Sequence, residues 1–167
     1  MLKPLLLLAF GNLSRGDDAL APLLLDFVGQ TLNLTHIELL CDFQLQIEHA
    51  LDLEHRQRVL FVDASVSCTN AFEFSVVKPA QDASYTTHAM TPAAVLAVYQ
   101  QIKKQNPPPC FLLSIKGEQF ELGADLTPTA QQNLGLACAF IKPLLINSNL
   151  ESWLQLSQPK QTLNIGF

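Results

Sequence analysis

Leu5-Leu6-Leu7-Leu8-Ala9-Phe10-Gly11-Asn12-Leu13-Ser14-Arg15-Gly16-Asp17-Asp18 is the stretch whose order decides the fold. An apolar run breaks at Gly11-Asn12, turns again at Gly16 and ends on two adjacent carboxylates. A new apolar segment, Ala19 to Val28, follows at once. That order predicts a buried strand, a loop and a helix start. The run does not alternate between apolar and polar residues, which suits a parallel strand covered on both faces. In such sheets the ligand crevice lies beyond the carboxyl ends of the strands. Asp17 and Asp18 therefore stand where this architecture keeps its chemistry, and both are placed to cap the helix that follows.

Outward from this stretch the chain alternates. His36 to Cys41 reads as a second strand, and Leu45 to Leu53 as a short helix with Glu48, His49 and Asp52 on a solvated face. Val59-Leu60-Phe61-Val62 is another buried strand, ended by Asp63. Phe72 to Val77 is a further strand, with Phe72, Phe74 and Val76 on one face. It follows Val62 too closely for a helical crossover, so it is antiparallel. Thr91 and Pro92 supply an N-cap and a first helical residue for a helix running to about Lys104. Phe111 to Ile115 is a strand, and Thr127-Pro128 opens a last long helix to about Leu145, with a short helix in the tail beyond Asn147. This alternation predicts an α/β fold: a three-layer α/β/α sandwich, with a mostly parallel twisted sheet of about five strands and helices on both faces. Residues 1–167 read as one domain, with no repeat and no internal linker.

Composition narrows the partners. Apolar residues make up 49% of the chain and charged residues only 15%, which is a globular balance and not a disordered one. A net charge of −5 without a basic cluster argues against nucleic acid. The leucines after Lys3 loosely mimic a signal peptide. Their run is short and polar residues follow it directly, so a strand is the better reading. No segment approaches the ~20 apolar residues of a membrane span. Cys41, Cys68, Cys110 and Cys138 form no CxxC pair, so they read as buried free thiols in a reducing cytoplasm. Cys68, in the polar loop after Asp63, is the one placed to see the crevice.

Three side chains share one address. Asp18 follows the first strand, Asp63 ends the Val59–Val62 strand, and His88 ends a polar loop before a helix. Two parallel strands bring both aspartates to the same sheet edge. Two carboxylates and an imidazole can hold a divalent metal with positions left open, or can pair a general base with its orienter. Taken singly, Asp18 reads as a helix cap, Asp63 as a turn residue and His88 as a solvated side chain. Arg15-Gly16-Asp17 spells a cell-adhesion tripeptide by chance. No GxGxxG, no P-loop and no GxSxG elbow is present.

At these residues the sequence resembles the hydrogenase maturation endopeptidases, which process the large subunit of nickel–iron hydrogenases. The family's first block, a strand followed by GxGN and an acidic pair, is matched by Ala9-Phe10-Gly11-Asn12 and Gly16-Asp17-Asp18-Ala19-Leu20-Ala21-Pro22. Its second, a strand ending in Asp-Ala, is matched by Val59 to Ala64. Its third, a histidine in a polar loop before a helix, is matched by Thr86-Thr87-His88-Ala89-Met90-Thr91-Pro92. Asp42 to Leu53 and Lys116 to Gly123 resemble the branch that serves cytoplasmic, NAD-coupled bidirectional hydrogenases. The first Gly of GxGN is Ala9 here, and glycines common after the acidic pair are Ala19 and Ala21.

The resemblance implies an endopeptidase that removes the C-terminal extension of a nickel-loaded [NiFe] hydrogenase large-subunit precursor. Asp18, Asp63 and His88 would contact the nickel carried by the substrate, and Asp18 and Asp63 would be the catalytic carboxylates of an aspartic-type-like site. It implies no intrinsic cofactor, a cytoplasmic location, and a role for Asp17 in capping the helix and orienting the loop. A small metal-dependent hydrolase with its own ion, and a non-catalytic chaperone for a metalloprotein precursor, are the competing readings.

Overall fold

Five strands lie in the order β2-β1-β3-β5-β4 in the computed structural model, which describes residues 2–81, 90–147 and 149–158. They are β1 (Leu5–Phe10), β2 (Ile37–Asp42), β3 (Arg58–Ser65), β4 (Phe72–Val77) and β5 (Cys110–Lys116). The first four in that order run parallel, and β4 pairs antiparallel with β5 at the edge. The fold is therefore α/β with a mixed, mostly parallel sheet, as the strand and helix signals predict.

The helices are α1 (Leu20–Thr31), α2 (His49–Asp52), α3 (Pro92–Lys103), α4 (Pro128–Ile146) and α5 (Leu150–Ser157). Alternate residues of the central strands feed two cores, because successive side chains of a strand point to opposite faces. Leu5, Leu7, Ala9, Leu60, Val62, Phe111 and Leu113 pack with α1, α4 and Trp153 of α5. Leu6, Leu8, Val59 and Phe61 pack with Leu45, Leu53 and the α3 residues Val95, Leu96 and Tyr99. Burial of β1 on both faces is why its leucines need no polar alternation. Thr91 and Thr127 cap α3 and α4 by accepting from the Ala94 and Ala130 amides, with proline at the first helical position of each.

Several expectations need correction. The helix signal at Leu45–Leu53 condenses to the single turn His49–Asp52. β3 runs on to Ser65, so Asp63 lies within the strand and does not end it. Phe72 and Phe74 face the core, whereas Val76 is exposed, because it stands near the end of an edge strand. Neither Asp17 nor Asp18 caps a helix: Gly16–Ala19 forms a 3-10 turn ahead of α1, and neither that turn nor α1 has a side-chain cap. Cys41 is exposed, because β2 is the other edge of the sheet; the remaining three thiols are buried. Among the described residues no helix is long and apolar enough to cross a membrane.

Candidate functional site

The chain leaves β1 towards β2 on one side and returns to β3 on the other, so strand order reverses between β1 and β3. Such a reversal opens a crevice at the carboxyl edge of a parallel sheet. Asp18, on the loop after β1, and Asp63, on β3, both stand there. β1 pairs with β3 only as far as Ala9 opposite Val62, so Asp63 is the first β3 residue past that pairing.

Asp63 and Ser114 are register partners on adjacent parallel strands. Their side chains therefore point to one face, and the Ser114 hydroxyl donates to Asp63 Oδ1 at 2.6 Å. Burial, helped by the nearby Asp18 charge and opposed by the Ser114 hydrogen bond, raises the Asp63 carboxyl to about 6. Asp18 is itself raised above the ordinary carboxylate value by burial, while the Asn12 amide and the Arg15 charge pull the other way. The Asn12 amide donates to Asp18 Oδ2 at 2.8 Å. Neither carboxylate is in an ion pair among the described residues. Two partly buried like charges with one oxygen engaged on each make a place that favours a cation or a proton.

Asp17 has a different task. It is fully buried, and its carboxylate accepts from the amides of Glu118, Gln119 and Thr127 at 2.7, 3.1 and 2.8 Å and from the Thr127 hydroxyl at 2.8 Å. Burial alone would raise its pKa, but the four donors together hold it below the usual carboxylate value. It ties the loop after β1 to the segment between β5 and α4, and in doing so aims Asp18 at the crevice. That pinning also removes the Arg15-Gly16-Asp17 tripeptide from any adhesion role. Two glycines make the tight path. A Cβ on Gly11 would lie 2.2 Å from the Asp18 carbonyl oxygen, and Gly16 has a φ of +57° with the Gln119 carbonyl oxygen at 2.4 Å from an added Cβ.

His88, the third residue of the sequence-based trio, lies outside the described residues. Among those described, no three His, Cys, Asp or Glu side chains gather closely enough to hold a metal ion. His49, expected on a solvated face, is buried instead. Its Nδ1 accepts from the Gln46 amide at 2.8 Å and its Nε2 faces Asp42 Oδ2 at 3.3 Å. Cys68 is buried against the Ser114 carbonyl, and burial pushes its thiol up to about 11, with Glu73 and Asp63 adding to the rise. Such a thiol is a poor nucleophile at neutral pH. Ser114 escapes sequence reasoning, although a lone hydroxyl inside the apolar run Phe111–Ile115 is its signal. Beside the Asp18 loop a groove of about 580 Å³ is lined by Gly11, Asn12, Leu13, Asp42, Phe43 and Leu122. Leu13, Phe43 and Leu122 are exposed there.

No protein-family model and no curated protein matches this sequence. Solved structures do match the fold. A [NiFe] hydrogenase maturation protease, HycI from Thermococcus kodakarensis, superposes with a TM-score of 0.67 at 17% identity, covering 87% of this chain and 94% of that one. The hydrogenase maturating endopeptidase HybD from E. coli gives 0.65 at 23% identity, covering 87% and 93%. An endopeptidase from Escherichia coli, solved in solution, gives 0.68 at 21% identity with the same coverage, 87% and 93%. At such identities the likeness is one of architecture. This chain has the fold of the hydrogenase maturation endopeptidases over nearly the whole of their length.

Proposed function

We propose that this chain is an endopeptidase that removes the C-terminal extension of a nickel-loaded [NiFe] hydrogenase large-subunit precursor. The observation that carries the reading is the Asp18–Asp63 pair at the switch point of a sheet with this fold. Fold alone does not assign chemistry; the pair is what supports the reading. Each carboxylate has one oxygen held by a donor, Asn12 for Asp18 and Ser114 for Asp63, so each keeps a second oxygen for the substrate. Their mutual repulsion is relieved by a cation, and nickel already held by the precursor's cysteines is the cation offered. A nickel-free precursor leaves the repulsion in place, so it docks weakly. His88 adds an imidazole nitrogen to this recognition set, as the sequence resemblance implies.

For bond cleavage, Asp63 is the candidate base. Before nickel arrives its carboxyl is raised to about 6, above an ordinary aspartate, and with nickel at the free oxygen the second lone pair of the Ser114-held Oδ1 is the one that takes the proton. Water attacks the scissile carbonyl carbon and yields its proton to Asp63. The carbon–nitrogen bond then breaks and that proton passes to the departing amine. The exposed Leu13, Phe43 and Leu122 groove beside Asp18 gives an extended polypeptide an apolar seat.

The test is a cleavage assay on nickel-loaded and nickel-free precursor, read as substrate mass. Loss of a C-terminal peptide from the loaded form alone is expected. Asp63→Asn is expected to slow it by on the order of 100-fold or more, and His88→Ala to erase the difference between the two forms. An uncut, properly loaded precursor would sink the reading. Tight binding without cleavage would then identify a chaperone, and tightly held stoichiometric metal in the purified chain a hydrolase with its own ion.

A further inference from the structure

The opposite edge of the sheet holds a second site, independent of the activity proposed above. A cavity of about 430 Å³ opens at the amino ends of β1, β2 and β3, lined by Leu5, Ile37 and Leu145 among apolar residues and by Asn33, Thr35 and Arg58 among polar ones. That volume is typical of a small-molecule pocket. Arg58 is only 9% exposed. Its Nε and Nη1 are buried with no hydrogen-bond partner among the described residues. Its guanidinium carbon lies 4.9 Å from the centroid of the Trp153 ring. An aromatic face attracts the charge but cannot accept the in-plane N–H donors.

A buried arginine with orphaned donors is costly, and arginine does not shed its proton to escape the cost. Its neighbour in sequence shows the usual solution. Arg56, also buried, pairs with Glu38 and donates to the Lys3 and Asp52 carbonyls. Arg58 is left with its charge beside an open cavity. The helices α1 and α4 also end at this edge, contributing Leu32 and Ile146 to the lining. Their carboxyl-end dipoles oppose a multiply charged anion. A single negative charge on an apolar body answers Arg58 and the apolar wall while meeting the least opposition from those helix ends.

We infer that this cavity is a binding site for a small organic carboxylate, which pairs with the Arg58 guanidinium at the cavity wall and whose apolar body lies against Leu5, Ile37 and Leu145. Asn33 already accepts the Thr35 amide and hydroxyl through Oδ1, so its Nδ2 donors remain for the same anion.

Trp153 is the chain's single tryptophan, and its fluorescence reports directly on the Arg58 charge. Octanoate is the probe, with octanol and inorganic phosphate as comparators, titrated against the full chain. A saturable change in tryptophan emission with octanoate, and a weaker response to either comparator, is expected. Arg58→Met is expected to weaken octanoate by on the order of tenfold or more, while its thermal midpoint stays level or rises, since an orphaned charge has been removed. Equal responses to octanoate and octanol, equal responses to octanoate and phosphate, no response to octanoate, or unchanged octanoate binding in Arg58→Met would each overturn the inference. If Arg58→Met does not fold, the octanoate–octanol comparison on the unaltered chain decides. The outcome leaves the peptidase reading untouched, because the two sites occupy opposite edges of the sheet.

Discussion

At the scale of single residues, the adjacent carboxylates Asp17 and Asp18 show how environment divides one residue type into two roles. Asp17 accepts four hydrogen bonds in a buried pocket and stays ionised as a structural pin. Asp18, one position on, meets a second carboxylate across the crevice. The consequence for Asp63 is measurable as stability. Its folded pKa, about 6, lies above the ordinary 3.8. A raised carboxyl favours folding fully below the lower value, and that contribution is lost as pH rises through about 6. Asp63→Asn, which cannot ionise, is therefore expected to be more stable than the unaltered chain at pH 7.5 by on the order of 1–2 kcal/mol. The gain should vanish near pH 4. Urea denaturation at both pH values checks this, and a difference that ignores pH would show that Asp63 is not held against its charge.

At the scale of elements, the start of α4 ties the site together. The Thr127 hydroxyl oxygen accepts from the Ala130 amide at 3.1 Å, as an N-cap, while its proton goes to Asp17. The Thr127 amide reaches the same carboxylate. One side chain thus joins the helix that backs β5 to the loop that presents Asp18. Thr127→Val keeps the shape and removes both side-chain bonds. A loss of about 1–3 kcal/mol is expected in urea unfolding, with Thr127→Ser retaining most of the stability because it keeps the hydroxyl. An equal loss in both variants would place the effect in packing. Thr127 and Pro128 announce a helix start in the sequence, but the second use of the hydroxyl is invisible there, since Asp17 is 110 residues away.

At the scale of the molecule, the two sheet edges carry opposite character. The carboxyl edge gathers Asp18 and Asp63, whereas the amino edge carries Arg58, unpaired among the described residues. Between them α5 closes the core that α1 and α4 cover. Its Trp153 is fully buried, packs edge-on against Phe74 and Phe111, and donates Nε1 to the Leu144 carbonyl at 3.2 Å. Trp153→Ala leaves a large cavity beneath β4 and β5 and orphans an α4 carbonyl. A cost of about 3–5 kcal/mol is expected by urea or thermal unfolding. A cost below 1 kcal/mol would mean that α5 is peripheral to the cooperative unit.

The sequence by itself determined the layers, the strand directions and the edge of the sheet at which Asp18 and Asp63 meet. Those follow from local patterning: an unbroken apolar run needs cover on both faces, Thr-Pro opens a helix, and a short link after Val62 forces an antiparallel partner. Tertiary structure alone decided which acidic residue of the pair is a pin and which faces the crevice. It also decided that Ser114 holds Asp63, that His49 turns inward to Asp42, and that Arg58 borders a cavity with two donors unpartnered among the described residues. Each of these depends on contacts between segments far apart in the chain, 101 to 110 residues in the case of Asp17. Periodicity records which face a side chain takes, and only the packed sheet supplies the neighbour it finds there.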